Sequence, residues 1–568
     1  MCRLFHINMI FVTTTACLAL AACGANQEAV EVTSAPEQTQ NEVADEGEYA
    51  PANAVKTVPP PPSPSAVAPA THVAHDAAIM VTGSRIAGPA APPARYAPYA
   101  EPDREQYQDI ERSEVVRVAD VPVSTFSIDV DTGSYANVRR FLTDGRLPPS
   151  DAVRVEEMIN YFNYRYPVPR DRSKPFSVNV DAAVTPWNRD THLVRIGLKG
   201  YDIDRSERPP ANLVFLIDTS GSMSAPNKLP LVKKAMVTLA REMQARDRMS
   251  IVVYAGSAGL VLEPTNDPLK VEAALEKLQS GGSTAGAAGI ALAYKQARAA
   301  FIEGGVNRVM LATDGDFNVG TSNRDTLVDM VKREAETGVQ LTTLGFGQGN
   351  FNEAMMEQIA DNGNGNYAYI DSVLEARKVL SEEVGSTLFT IAGDVKVQVE
   401  WNPATVAEYR LIGYENRALS EQDFSNDKVD AGEIGAGHDV TALYEIALVG
   451  SKGAAIPDRR YQANRPAAAP GNPAELGELR LRYKLPGETK SRLLTRVLPV
   501  TLAARAGEVR GDMALAAAVA AFGQKLSGGE HIGDMSYRQI ANLVPKGDYY
   551  SEELRKLVQA ADTNGPSR

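Results

Sequence analysis

Leu213-Val214-Phe215-Leu216-Ile217 is an unbroken apolar run that stops at Asp218. A strand that is apolar at every position has no face to offer water, so helices must cover it on both sides. The chain that follows meets this requirement. Pro230 sits in the first turn of an expected helix whose positions Leu229, Val232, Met236, Leu239 and Met243 recur at helical spacing. Met249 to Ala255 reads as a strand, and Pro268 opens a helix carrying Val271, Leu275 and Leu278. A helix is expected over Ile290 to Phe301, a second buried strand over Val309 to Ala312, a helix over Arg324 to Glu336 and a strand over Val339 to Phe346. An edge strand from Asn366 to Ile370 and a last helix from Val373 to Leu388 complete the series. This β-then-α alternation predicts an α/β fold, a doubly wound, mostly parallel sheet of Rossmann-like kind.

On either side of that unit the period is two. Phe176 to Ala182 and Leu193 to Leu198 alternate before it. Val395, Val397, Val399 and Trp401, then Ala442, Tyr444, Ile446 and Leu448, then Leu479, Leu481, Tyr483 and Leu485 alternate after it. Each reads as a strand of an antiparallel sheet with one covered face. Neither flank alone offers many strands and a lone hairpin is marginal in water, so the two flanks are expected to pair, which makes the α/β unit an insertion into a β-sandwich. The expected organisation is residues 105–170 as an N-terminal α/β flank, 171–210 as strands that join the later β domain, 211–392 as the α/β domain, 393–505 as the β domain and 506–568 as C-terminal helices.

The first hundred residues differ in kind. Arg3 precedes an apolar stretch from Met9 to Ala22, too short to span a bilayer but suited to the hydrophobic part of a secretion signal. It ends in Leu20-Ala21-Ala22-Cys23, which resembles the bacterial lipobox. That resemblance implies a signal peptide over 1–22, a lipid on the thiol of Cys23, and a place in the cell envelope, anchored in the bilayer of the outer membrane and facing the periplasm first, with the cell surface as the alternative. Residues 23–104, rich in Pro, Ala and Glu, lack the apolar content to offset ordering entropy and read as a disordered tether. The three cysteines, Cys2, Cys17 and Cys23, all lie in the first 23 residues, so the rest of the chain has no thiol for a disulfide, a zinc site or a nucleophile. The charge is −13, from 58 basic and 71 acidic residues, with no basic run or stripe, which argues against nucleic-acid binding.

In open α/β sheets ligands bind beyond the carboxyl ends of the strands. Three loops at that edge carry unusual residues: Asp218-Thr219-Ser220-Gly221-Ser222, Gly281-Gly282-Ser283-Thr284 and Thr313-Asp314-Gly315. Carboxylates and hydroxyls are hard oxygen donors, suited to Mg²⁺, Mn²⁺ or Ca²⁺ and poor for zinc. The set resembles the metal-ion-dependent adhesion site of von Willebrand factor type A (VWA) domains, and the β/α order from Ala211 to Phe389 resembles that fold. The resemblance implies metal ligation by Asp218, Ser220, Ser222, Thr284 (or its neighbour Ser283) and Asp314, with Mg²⁺ the first expectation. It also implies that an Asp or Glu from a partner protein completes the ion's shell. Ser124 to Pro167, with its Asp-Val-Asp-Thr-Gly-Ser-Tyr run, and Tyr409 to Arg417 resemble the segments that bracket the A domain in a family of bacterial VWA-containing lipoproteins.

Two other functions compete. Asp131-Thr132-Gly133 is the aspartic-protease tripeptide, but such an enzyme needs two carboxylates sharing a proton and the second copy is missing, so a structural turn is the better account. A serine hydrolase would need a histidine beside its nucleophile, and His192, His438 and His531 do not follow a buried strand. The expectation is a binding protein with no catalysis of its own; the remaining alternative is an assembly factor whose ion only stiffens the loops.

Overall fold

The computed structural model describes residues 104–128, 131–204, 206–283, 286–315, 321–382, 388–457, 459 and 471–565. The signal segment, Cys23, the tether up to residue 103 and Thr284 lie outside the described residues.

In chain order the strands are β1 (Val116–Arg117), β2 (Val123–Ser127), β3 (Phe176–Val184), β4 (His192–Gly200), β5 (Ala211–Asp218), β6 (Arg248–Tyr254), β7 (Ala258–Thr265), β8 (Val306–Thr313), β9 (Val339–Phe346) and β10 (Tyr367–Ile370). Then come β11 (Thr390–Trp401), β12 (Val406–Ile412), β13 (Ile434–Gly435), β14 (Asp439–Leu448), β15 (Glu475–Lys484) and β16 (Arg492–Pro499). Among the described residues the α/β unit is a six-stranded sheet in the order β10-β9-β8-β5-β6-β7. Its strands are parallel except β7, which runs antiparallel to β6. Val214 and Leu216 pack under Ile290, Ala293 and Tyr294 on one face, while Phe215 and Ile217 join Val232, Met236 and Leu239 on the other. β5 is buried at every position, as its composition requires.

Two local expectations need correction. β7 follows the short turn at Gly256-Ser257, although the sequence reading passed from Ala255 straight to the helix at Pro268. Its burial pattern explains the miss: the strand lies at the sheet edge with Leu260 and Val261 both exposed, so it carries little alternation. The expected helix from Val373 to Leu388 is also not continuous. The α-helix covers Val373–Arg377 and passes into a π-turn over Lys378–Glu382.

The flanks form two further sheets. One has the order β1-β12-β14-β4-β3; the other is β13-β11-β15-β16, with β2 paired to β11. Strands that precede the α/β unit thus pair with strands that follow it in both sheets. Ile196 lies opposite Ala442 and Phe126 opposite Val397. The two sheets face each other through aromatic contacts: the Trp401 ring lies 5.3 Å from that of Tyr444 and 6.0 Å from that of Tyr409. The C-terminal helix Gly511–Leu526 is buried from Met513 to Gln524 and packs on the helix Val155–Asn160. Its alanines allow this close approach, and Gly523 faces Val155 and Met158. Among the described residues no helix is long and apolar enough to cross a membrane.

Candidate metal centre

β5 and β8 are neighbours, so their carboxyl ends deliver Asp218 and the Thr313-Asp314 pair to one rim. Both aspartates are fully buried. Asp218 is held from three sides. Its Oδ1 accepts the Ser220 amide at 2.8 Å, and its Oδ2 accepts the Thr313 hydroxyl at 3.0 Å and the Tyr254 hydroxyl at 3.2 Å. Burial raises the pKa of the Asp218 carboxyl above its ordinary value; the hydrogen bonds from Ser220 oppose this and the nearby charge of Asp314 adds to it. A buried carboxylate beside a like charge favours a cation between them.

The Ser220 and Ser222 hydroxyls lie 3.0 Å apart at the start of the 3₁₀ turn Gly221–Ser224. This loop is tied to the next: the Gly221 amide donates to the Gly282 carbonyl at 3.2 Å, and the Gly281 amide to the Thr219 carbonyl at 2.8 Å. Backbone bonds therefore bring the described part of the Gly281 loop against the Asp218 loop, whereas Thr284 itself lies outside the described residues. In the third loop Gly315 has φ +83°, and a Cβ there would lie 2.5 Å from the amide nitrogen of Asn352. Only glycine lets the chain turn away from Asp314 this closely.

Lys228, a residue that sequence reasoning missed, enters the same rim. Its Nζ lies 2.9 Å from Oδ2 of Asp314 and 3.1 Å from Oδ1 of Asn350, and its side chain is buried. Lys228 is the N-cap of the helix Leu229–Glu242, where small oxygen-bearing residues are preferred and a positive charge opposes the helix dipole. That breach of helix rules was the available signal. Of the two hydroxyls that donate to Asp218, Thr313 belongs to the third loop marked in the sequence, whereas Tyr254, at the end of β6, carries no comparable mark.

The donor set fits a hard divalent cation: two buried carboxylates and a pair of adjacent hydroxyls. The rim already attracts positive charge, as the ammonium on Asp314 shows. Among the described residues no three His, Cys, Asp or Glu side chains form a group able to hold a metal ion, so a metal at this rim depends on the serine hydroxyls as well as the carboxylates.

The flanking motifs have structural work at the other end of the domain. Asp131 accepts the Tyr367 amide at 2.8 Å on Oδ1 and an Arg417 nitrogen at 3.0 Å on Oδ2. Arg417 also reaches Glu357 at 3.3 Å and Asp361 at 2.7 Å. The Asp-Thr-Gly tripeptide is not the expected turn but the entry to the helix Gly133–Thr143, with Thr132 its N-cap, and Asp131 joins the N-terminal flank to β10 and to the Tyr409 to Arg417 segment.

Comparison with known proteins agrees with this architecture. The von Willebrand factor type A domain family matches residues 212–382, a family described as von Willebrand factor matches residues 101–195, and one described as "Uncharacterized protein YfbK, C-terminal" matches residues 386–563. The chain is 45% identical over 478 residues to "Uncharacterized protein YfbK" of Escherichia coli (strain K12), covering 82% of each chain. It is 25% identical over 262 residues to human inter-alpha-trypsin inhibitor heavy chain H3, covering 42% of this chain and 29% of that one. Among solved structures, a von Willebrand factor type A protein from Catenulispora acidiphila aligns at 16% identity with a TM-score of 0.37, covering 64% of this chain and 80% of that one. The chain belongs to the YfbK family of bacterial proteins, in which a VWA domain is set between family-specific N-terminal and C-terminal regions.

Proposed function

We propose that this protein is a lipid-anchored envelope protein whose VWA domain holds a divalent cation, Mg²⁺ before Mn²⁺ or Ca²⁺, and captures a partner protein through an acidic side chain. The observation that carries this reading is the convergence, at the carboxyl ends of β5 and β8, of buried Asp218 and Asp314 with the paired hydroxyls of Ser220 and Ser222. Asp218, Ser220, Ser222 and Asp314, together with Thr284, would hold the ion. When bound, the ion supplies a strong Lewis-acid site for one more oxygen, and its binding depends on ligand charge and number. The chain's own residues orient the donors: Ser220, Thr313 and Tyr254 fix Asp218, and Lys228 fixes Asp314. Cys23 is the proposed lipid attachment point.

The function proposed is binding without catalysis. His192 begins β4, His438 immediately precedes β14 and His531 follows the helix Gly511–Leu526; none lies on the described loops of the metal centre. The test is calorimetric titration of Mg²⁺ and Mn²⁺ into the full chain and into its Asp218→Asn and Asp314→Asn forms, beside circular dichroism of each. Binding by the parent that either variant loses while keeping its fold supports the site. Equal affinity in all three removes it.

A further inference from the structure

We propose that Lys228 is a permanent second cation of this site, which leaves the metal-loaded rim with a net positive charge and thereby makes it require an anionic partner group. The proposal rests on the metal-site reading above and concerns what that site selects.

The Lys228 side chain is built into the rim. Its stem passes over Gly347, whose φ is +76°, and a Cβ at that position would overlap the Cγ and Cε of Lys228. The ammonium is then gripped by two oxygens on different loops, Asp314 Oδ2 at 2.9 Å and Asn350 Oδ1 at 3.1 Å. Lys228 is also the N-cap of the helix Leu229–Glu242, so its backbone is fixed by the amides of Leu231 and Val232, which donate to its carbonyl. A lysine so held at both ends has no free swing toward solvent, and an ion entering the site shares Asp314 with it.

Charge decides the consequence. Asp218 and Asp314 carry two negative charges; a divalent ion alone would neutralise them. With Lys228 counted, the charged groups named here sum to plus one, and one carboxylate from a partner brings them to zero. In a buried setting, where water screens weakly, that difference separates a rim that tolerates an anion from one that draws it in. The same lysine must weaken the metal itself, because it repels the incoming ion and occupies part of Asp314. One residue therefore pushes the two affinities in opposite directions.

The test uses the full chain with Mn²⁺ and acetate as probes. Mn²⁺ affinity is read by electron paramagnetic resonance of the free ion. Acetate capture is read by the fall in water-proton relaxation as acetate displaces water from the protein-bound Mn²⁺. The variants are Lys228→Met, which keeps the stem and removes the charge, Lys228→Gln as a second neutral form, and Lys228→Arg, which keeps the charge. The expected result is Mn²⁺ binding tightened about tenfold or more in a folded neutral variant, acetate binding weakened by about the same factor, and the Arg form close to the parent in both. Unchanged Mn²⁺ affinity in the neutral variants overturns the proposal while leaving the metal site standing. Tighter Mn²⁺ with unchanged acetate binding also overturns it, since the lysine is then a competitor that leaves as the ion enters. A parent that binds no Mn²⁺ overturns the metal-site reading and this inference together.

Discussion

Nε of Arg154 lies 3.6 Å from Oε2 of Glu353, and both side chains are fully buried. Arg154 leads into the helix Val155–Asn160 of the N-terminal flank, and Glu353 begins the helix Glu353–Asn362 of the VWA domain. The same guanidinium lies 3.3 Å from Glu157 and 2.8 Å from Glu357. Flank and VWA domain thus share one buried charge cluster, in which Arg154 faces three carboxyl groups and Arg417 reaches one of them, Glu357. The flank is therefore held to the domain by interactions that would be costly to break, because a buried charge that loses its partner is destabilising by about 3–5 kcal/mol.

The imbalance predicts a pH dependence. Burial pushes the Glu353 carboxyl up from its ordinary 4.5 to about 8, against the attraction of Arg154. Between those values the folded chain binds more protons than the unfolded chain, so Glu353 makes stability fall as pH rises from about 4.5 to about 8. Glu353→Gln removes this contribution. The melting temperature of the variant relative to the parent should climb between pH 5 and pH 8; a constant difference would show that Glu353 titrates normally.

Asp314→Ala should lower stability by about 3 kcal/mol in urea unfolding, because it strips the buried Lys228 ammonium of its carboxylate. Adding Lys228→Met should restore most of the loss, as the double-mutant cycle then removes both charges. Additive losses would mean that the 2.9 Å pair contributes nothing specific.

Gly315→Ala should destabilise the fold by about 1–3 kcal/mol, since the left-handed φ and the approach to Asn352 both exclude a side chain. Because the loop turns away from Asp314 at this residue, Mn²⁺ affinity should fall in the folded variant. Gly145, with φ +76° and open space around its Cβ position, is the control: Gly145→Ala should leave Mn²⁺ affinity unchanged.

Trp401→Ala should reduce stability by about 3–5 kcal/mol, the usual penalty for truncating a fully buried aromatic side chain. Trp401 belongs to β11 and its ring neighbours Tyr409 and Tyr444 belong to the opposite sheet, so the denaturant midpoint reports the sandwich core. A loss under about 1 kcal/mol would show that the sheets are held together elsewhere.

Cys23→Ser removes the thiol proposed to take the lipid. The variant should move from the membrane pellet to the soluble fraction on cell fractionation. Retention in the pellet would end the lipoprotein reading.

The sequence by itself determined the α/β sheet, because strands apolar on both faces and helices with one apolar stripe admit few other arrangements. It also marked Asp218, Ser220, Ser222 and Asp314, since a polar motif directly after a buried strand must sit at the strand's carboxyl end. Period-two alternation identified the flanking strands β3, β4, β11, β14 and β15 and suggested that the flanks pair, but it missed β12 and β16 and did not say which pairs form. Partners such as Ile196 and Ala442 lie far apart in the chain, and register across such distances is set by packing. Tertiary structure alone decided the groups that charge the site and fasten the flanks. Lys228 meets Asp314 across 86 positions, Arg417 meets Asp131 across 286, and Arg154 meets Glu353 from another region of the chain. A charged side chain carries no periodic signature of its partner. Its effect depends on burial and on the oxygen it reaches, and both arise only when the sheets and helices have closed around it.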